Sequence, residues 1–197
     1  MHALDTLIHR MSKLPGLGPR SARRLVLHLL KRRDDTLTPL IRHLEEVKNS
    51  VQTCTTCFNL DTQNPCYLCT HPKRANSPLL CIVADVSDVW ALEKTAAFQG
   101  HYHVLGGLLS AVDGVTPQQL NLDPLYARLN KGEHREVLFA LNATIDAQTT
   151  MHYIISQLPA SLDLTFSSLA QGVPLGGELD YLDQATLSIA FEGRKKI

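Results

Sequence analysis

The stretch "CTTCFNLDTQNPCYLC" constrains this chain more than any other. In it Cys54, Cys57, Cys66 and Cys69 stand as two CxxC pairs separated by eight residues. Each CxxC bends the chain so that two thiolates turn toward one ion, and two pairs complete a tetrahedral four-sulfur site. A redox CxxC usually stands alone beside a βαβ pattern, and disulfides are rare in the reducing cytosol. The pattern therefore predicts a structural Zn²⁺. Four thiolates leave no open position at which a water could be activated, and the ion would fold a loop too small for its own core. His71 lies close by but is not needed as a ligand. Cys81, inside the apolar run "LLCIVA", reads as a buried core thiol.

The finger separates two different kinds of sequence. Upstream, "TLTPLIRHLEEVKNSV" places Leu40, Ile41, Leu44, Val47 and Val51 at helical spacing, with Thr38 expected as N-cap and Pro39 at the first helical position. Residues 1–50 carry ten Lys/Arg against five Asp/Glu, while residues 81–197 carry seven against thirteen. A basic end on a chain of zero net charge suits a polyanion, or is only a solvated helix surface. The stretch "LPGLGPRSARRLVLHLL" favours the polyanion. Gly16 and Gly18 can take positive φ and turn the chain sharply between two helices. The second helix is expected to begin at Pro19, presenting backbone N–H groups and a positive dipole end where a phosphate can sit. Arg20, Arg23 and Arg24 follow, within reach of a neighbouring phosphate, and Leu14, Leu17, Leu25 and Leu29 are expected to fix the two helices together. An αα-hairpin that only packs, or forms a subunit contact, is the other reading, and the two are compatible.

Downstream, apolar runs alternate with helical patterns. Strands are expected at "LLCIVA", "HYHVLG", "EVLFAL" and "LDLTFSSLA", and helices at "SDVWALEKTA", "DPLYARLNKG" and "AQTTMHYIISQL". That alternation implies a mostly parallel sheet with helices packed on it. A last short helix is expected in "DQATLSIAFEG", from a cap at Asp183 to Gly193. The sequence contains no GxxxxGK[ST], GxGxxG or GxSxG. "LGGLLSAVDG" reads as a turn, and structural roles are expected for His101 and His103. No apolar run approaches the ~20 residues that span a bilayer. The first residues lack an apolar signal core, so a cytoplasmic location without membrane contact is expected.

The order of an "LPGLGPRSARRL" hairpin, a four-cysteine finger, and an α/β segment with "DVSDVWALEKT", "YHVLGGLLSAVDGV" and "GVPLGGELDYLD" resembles the RecR family of bacterial recombination mediators over essentially the whole chain. The resemblance implies an α/β multidomain fold. Residues 1–52 would form a helix-hairpin-helix domain for DNA binding and oligomerisation, and 53–77 the zinc finger. Residues 78–175 would form a Toprim-like domain, and 176–197 a C-terminal oligomerisation tail. It also implies a homo-oligomer, a dimer or tetrameric ring, that binds single- and double-stranded DNA without reading sequence. Its implied partners are RecO and, in some settings, RecF. With them it would help to load RecA onto gapped single strands coated with SSB, in the cytoplasm at the nucleoid. The hairpin basics of the family fall on Arg20 and Arg24, and the zinc ligands on the four cysteines.

The metal-binding positions of a Toprim domain are where this chain departs from that pattern. The family glutamate at the end of the first Toprim strand is Ala84. The "NPTVEGEAT" stretch is "NATIDAQTT", so its two glutamates become Asp146 and Gln148. Mg²⁺ relies on hard carboxylate oxygens, and one carboxylate with one amide is a weak site. Asp85 could substitute from the adjacent position only if the strand has already ended. Asp88 and Glu93 match common family residues and lie on a helix pattern, where packing, capping or partner contact is expected. Two functions follow. One is a non-catalytic DNA-binding scaffold with no catalytic residues, in which "NATIDAQTT" is a surface loop for a partner. The other is a Toprim-type enzyme acting on phosphodiesters through metal held by Asp146 and Asp85.

Overall fold

The computed structural model describes residues 3–194, so Met1, His2 and the last three residues of "GRKKI" lie outside it. The chain divides into two compact units, Met1–Val51 and Gln52–Ile197. Among the described residues no helix is long and apolar enough to cross a membrane.

The first unit is helical: α1 (Ala3–Met11), α2 (Pro19–Lys31), a π-helical turn (Arg33–Leu37) and α3 (Thr38–Ser50). Its buried seam is Ala22, Val26 and Leu29, an i, i+4, i+7 stripe on one side of α2. Leu17 and Leu25 are half-buried, but Leu14 is 50 % exposed and does not join the seam. The expected N-cap at Thr38 is also corrected. The π-turn runs straight into α3, so the cap position falls on Leu37, and Thr38 is already helical at φ −62°, ψ −47°. The apolar stripe of α3 is helical as expected, yet Leu40, Ile41, Leu44 and Val47 are all exposed.

The second unit begins with the finger: an antiparallel pair, β1 (Gln52–Thr53) and β2 (Leu60–Asp61), and a short helix α4 (Tyr67–Thr70). A four-stranded sheet follows, with β3 (Leu79–Val83), β4 (His101–Val104), β5 (Glu136–Phe139) and β6 (Thr165–Ser168). The order is β4-β3-β5-β6 and every pairing is parallel. The connecting helices are α5 (Val86–Glu93), α6 (Leu122–Leu129) and α7 (Ile145–Ser156), and α8 (Gln184–Glu192) closes the described chain. One core, around Leu80, Ile82, Val137 and Phe139, packs against α6 and α7. A second, around Cys81, Val83 and Tyr102, packs against α5 and takes Phe58 and Leu68 from the finger. Opposite faces of the same strands thus feed both layers, as the two-residue period requires.

Alternation of apolar runs was enough to locate the four strands of the parallel sheet, but not the short β1–β2 pair of the finger. Helix starts were less legible. α5 starts one residue before "SDVW", because Asp85 rather than a later residue supplies the cap. α7 starts at Ile145, because the Thr144 hydroxyl accepts from the Ala147 N–H at 3.2 Å. The stretch expected as a surface loop is therefore largely the first turn of a helix.

Candidate nucleic-acid interface and metal centre

The turn between α1 and α2 uses its two glycines differently. Gly16 takes φ +77°, the left-handed region. Gly18 does not: at φ −74°, ψ 166° it is the extended N-cap of α2, with Pro19 next. No side chain caps this helix, and a Cβ at Gly18 would meet nothing within 4 Å. The first amides of α2 are left bare, an anion site in the physical sense. Arg20, Arg23 and Arg24 are exposed, and none takes part in an ion pair among the described residues. At spacings of three and four they share the face opposite Ala22, Val26 and Leu29.

In the finger, Cys54 and Cys57 sit around the turn from β1 to β2, and Cys66 and Cys69 at the start and middle of α4. Their sulfurs all lie within 4.8 Å of one another. Cys57 Sγ is 3.4 Å from Cys66 Sγ, and Cys54 Sγ 3.9 Å from Cys69 Sγ. A tetrahedron with metal–sulfur bonds near 2.3 Å has edges of about 3.8 Å, so the donor set fits such an ion. Cys54, Cys57 and Cys66 are fully buried. The amides of Thr56 and Cys66 donate to Cys54 Sγ at 3.4 and 3.3 Å. Cys57 holds its proton well above the ordinary thiol range, because hydrogen bonds with Cys66 and Cys69, and then burial, favour the thiol. Cys66 ionises most readily, chiefly because its thiolate accepts from Cys57. Such sulfurs share protons until a cation replaces them. The finger's own buried cluster is cysteine, with only Leu68 and Cys69 packed against it.

The other candidates separate from this centre. His71 Nδ1 accepts the Lys73 amide at 3.2 Å and is outside the cluster. Cys81 is buried in β3, its thiol pushed up to about 12 by burial and then by Asp88. "LGGLLSAVDG" is a turn closed by a reciprocal Ser110–Val115 pair.

The Toprim positions gather at the carboxyl ends of β3 and β5, which are neighbours in the sheet. Ala84 is buried and follows the last residue of β3. The strand has indeed ended before Asp85, but that carboxylate caps α5: Oδ1 accepts the Ser87 amide at 2.9 Å, and Asp88 Oδ2 accepts the Asp85 amide at 2.9 Å. Asp146 is half-buried in the first turn of α7 and Gln148 is exposed. Among the described residues the four cysteines are the only cluster of three or more metal-type ligands. Asn142, Ala143 and Gln148 instead line a cavity of about 670 Å³ at the ends of β5 and β6, bounded by Ile189 and Glu192 of α8.

Three residues that sequence reasoning missed link the finger to α5 and the start of β4, and link α5 and α6 to β4. Arg74 is buried and donates to Gly100 O at 2.8 Å and to both oxygens of Glu93 at 2.9 Å. Tyr102 Oη donates to Glu93 Oε1 at 2.7 Å. Arg128 Nη1 donates to Tyr102 O at 2.6 Å. A lone Arg beside a Lys, or on a helix between Ala127 and Leu129, carries no pattern that announces such roles.

Comparison with known proteins agrees with this arrangement. Residues 4–48 match the family described as RecR, helix-hairpin-helix, residues 79–170 the Toprim domain, and residues 172–195 the family described as RecR, C-terminal. Recombination protein RecR of Rhodospirillum rubrum is 53 % identical over 194 residues, 98 % of each chain. That of Phenylobacterium zucineum is 52 % identical over 192 residues, 98 % of this chain and 95 % of the relative. The Sphingopyxis alaskensis protein of the same name is 48 % identical over 194 residues, 98 % and 97 %. A parallel Toprim sheet, a four-cysteine finger and a basic helical hairpin, matched at this identity over nearly its full length, place the chain in the RecR family of recombination proteins.

Proposed function

We propose that the chain is a non-catalytic, DNA-binding recombination mediator in DNA repair. It would act with RecO, and in some settings RecF, to help load RecA onto gapped single strands coated with SSB. The observation that carries this is the uncapped N-terminus of α2 beside Arg20, Arg23 and Arg24, exposed and free of ion pairs among the described residues. Backbone amides and guanidinium groups without base-reading geometry bind phosphate, so affinity comes from the backbone of single- or double-stranded DNA and not from its sequence. Residues 1–52 are assigned to DNA binding and oligomerisation, 53–77 to the finger, 78–175 to the Toprim-like domain and 176–197 to an oligomerisation tail. The exposed stripe of Leu40, Ile41, Leu44 and Val47 supports a homo-oligomer, dimer or ring. The four cysteines hold a structural Zn²⁺, supported by the match of sulfur spacing to a tetrahedral thiolate site.

Enzyme action through Asp146 and Asp85 is disfavoured because the Asp85 carboxylate is committed to capping α5 and the facing positions are Ala84 and Gln148. The "NATIDAQTT" region is read as a partner-contact surface. Fluorescence anisotropy of labelled DNA across a salt series tests the main reading. Binding should weaken steeply with salt and fall in the Arg20→Ala/Arg24→Ala variant. Indifference to both would reject it, and turnover of supercoiled DNA with Mg²⁺ that Asp146→Asn abolishes would install the enzyme reading.

A further inference from the structure

We propose that Arg128 is the charge-compensating residue of the four-cysteine centre: held on the outer edge of β4 beside the finger, its guanidinium offsets the negative charge that four thiolates keep around a divalent cation. This rests on the reading that the cysteines hold Zn²⁺.

The geometry comes from the sheet edge. β4 is an outer strand. Along a strand, successive residues direct their N–H and C=O groups to opposite sides. The Leu105 amide turns inward to Val83 O at 2.9 Å, so Tyr102 and Val104 turn outward. Three groups cap that outward edge, one of them Asn121 Nδ2, which donates to Val104 O at 3.0 Å. The Val104 amide donates to Cys57 O at 2.8 Å, and Arg128 Nη1 donates to Tyr102 O at 2.6 Å. A zinc-ligand residue and a guanidinium are thus seated two residues apart on one edge, about 7 Å of strand. Arg128 is delivered there by α6, whose buried face is Leu122, Leu125 and Leu129.

The electrostatics ask for a counter-charge. Arg128 is half-buried, and among the described residues it makes no ion pair with a carboxylate. Burying a cation without an opposite charge is costly. Burial works against the charge on Arg128, and the groups whose ionisation would offset it are first Cys69 and Cys57, then Glu133 and Cys54. Four thiolates around a divalent ion leave two negative charges. Amide donors to Cys54 spread part of this, and one full positive charge nearby offsets more. Groups just outside the ligands commonly tune the affinity of a metal site in this way.

Arg128→Gln keeps a donor for Tyr102 O but loses the charge, while Arg128→Lys keeps both. Zinc affinity is measured by chelator competition, and the thiolate-to-cobalt absorption band is recorded on the Co²⁺-substituted protein. Arg128→Gln is expected to bind zinc about 10–100-fold more weakly. Its band should move to longer wavelength, because thiolate electrons without the nearby cation lie higher in energy. Arg128→Lys should stay within about threefold of the parent with an unshifted band. A Gln variant that binds as tightly as the parent overturns the proposal, and so does a Lys variant as weak as Gln. Should the Gln variant not fold, the Lys variant decides alone: tenfold weakening overturns, near-parent affinity and band support. A parent protein without stoichiometric zinc would overturn the zinc reading itself, visibly and before any variant is made.

Discussion

The Val104 amide on the outer edge of β4 donates to the carbonyl of Cys57 at 2.8 Å. The finger is thereby a cover for an edge strand that would otherwise present bare backbone groups. Removing the proposed zinc with a chelator should loosen this cover first. By hydrogen exchange, the Val104 amide is expected to lose protection markedly, while the Leu105 amide, bonded inward to Val83 O, keeps most of its own. Equal loss at both positions would mean that the finger and the sheet unfold as one.

Asp85 and Asp88 cap α5 reciprocally. Asp85→Ala should cost about 1 kcal/mol of stability, read as a melting shift of about 2–4 °C for the second unit. DNA affinity should not change. An Asp85→Ala protein that melts like the parent but loses a Mg²⁺-dependent property would return this residue to a metal site.

How much of this was legible follows from what each signal is made of. The finger, the hairpin and the strands were readable because CxxC spacing, Gly-Pro punctuation and apolar runs are local signals. Asp85 was legible as acidic but not as a cap, because capping depends on where β3 ends, at Val83. Gly18 was read as a residue that can take positive φ, and only the backbone reveals it as an extended N-cap. Arg74 and Arg128 were invisible because their partners are Gly100, Glu93 and Tyr102, distant in sequence and brought close only by the sheet.

The Arg74–Glu93 pair is mostly shielded, with side chains 10 % and 27 % exposed, whereas Arg135–Asp163 is open to solvent at 67 % and 95 % with a 3.6 Å separation. Removing one partner of a buried pair costs about 3–5 kcal/mol, and partial exposure of Glu93 places Arg74→Met at the lower end. Arg135→Met should fall within about 0.5 kcal/mol of the parent, as exposed pairs contribute little. Urea unfolding of the two variants measures both, and equal effects would show that the Arg74 contacts are incidental.

Two buried histidines set a pH dependence. His134 leaves both ring nitrogens without a partner, and burial, then Arg128 and His101, lower its pKa to about 4. His103 Nε2 lies 2.8 Å from Asn121 O, and burial lowers its pKa to about 4 as well. The unfolded chain, with an ordinary histidine pKa near 6.5, binds more protons than the folded one between those values. Their contribution is therefore complete above about pH 6.5 and declines as pH falls toward 4, by up to roughly 1.4 kcal/mol per histidine per pH unit. His134→Phe should flatten that decline by about one proton in unfolding titrations. An unchanged slope would show that His134 is protonated in the folded state.

The two hairpin glycines make separable predictions. Gly16 sits at φ +77°, so Gly16→Ala forces a side chain into the left-handed region and should cost about 1–2 kcal/mol, seen in thermal melts of the first unit. Gly18 is at φ −74° with open space around its missing Cβ, so alanine fits there without strain. The loss is that of a good N-cap, about 0.5 kcal/mol. What the new methyl would meet is a phosphate approaching the bare amides of α2. Gly18→Ala should therefore weaken DNA binding while the fold persists, with a salt dependence close to the parent's, because no charge has been removed. Arg20→Ala/Arg24→Ala should instead lower the slope of log K against log salt by about two on duplex DNA. If Gly18→Ala binds as the parent does while the arginine variant loses affinity, the guanidinium groups alone hold the phosphates and the helix end is a bystander.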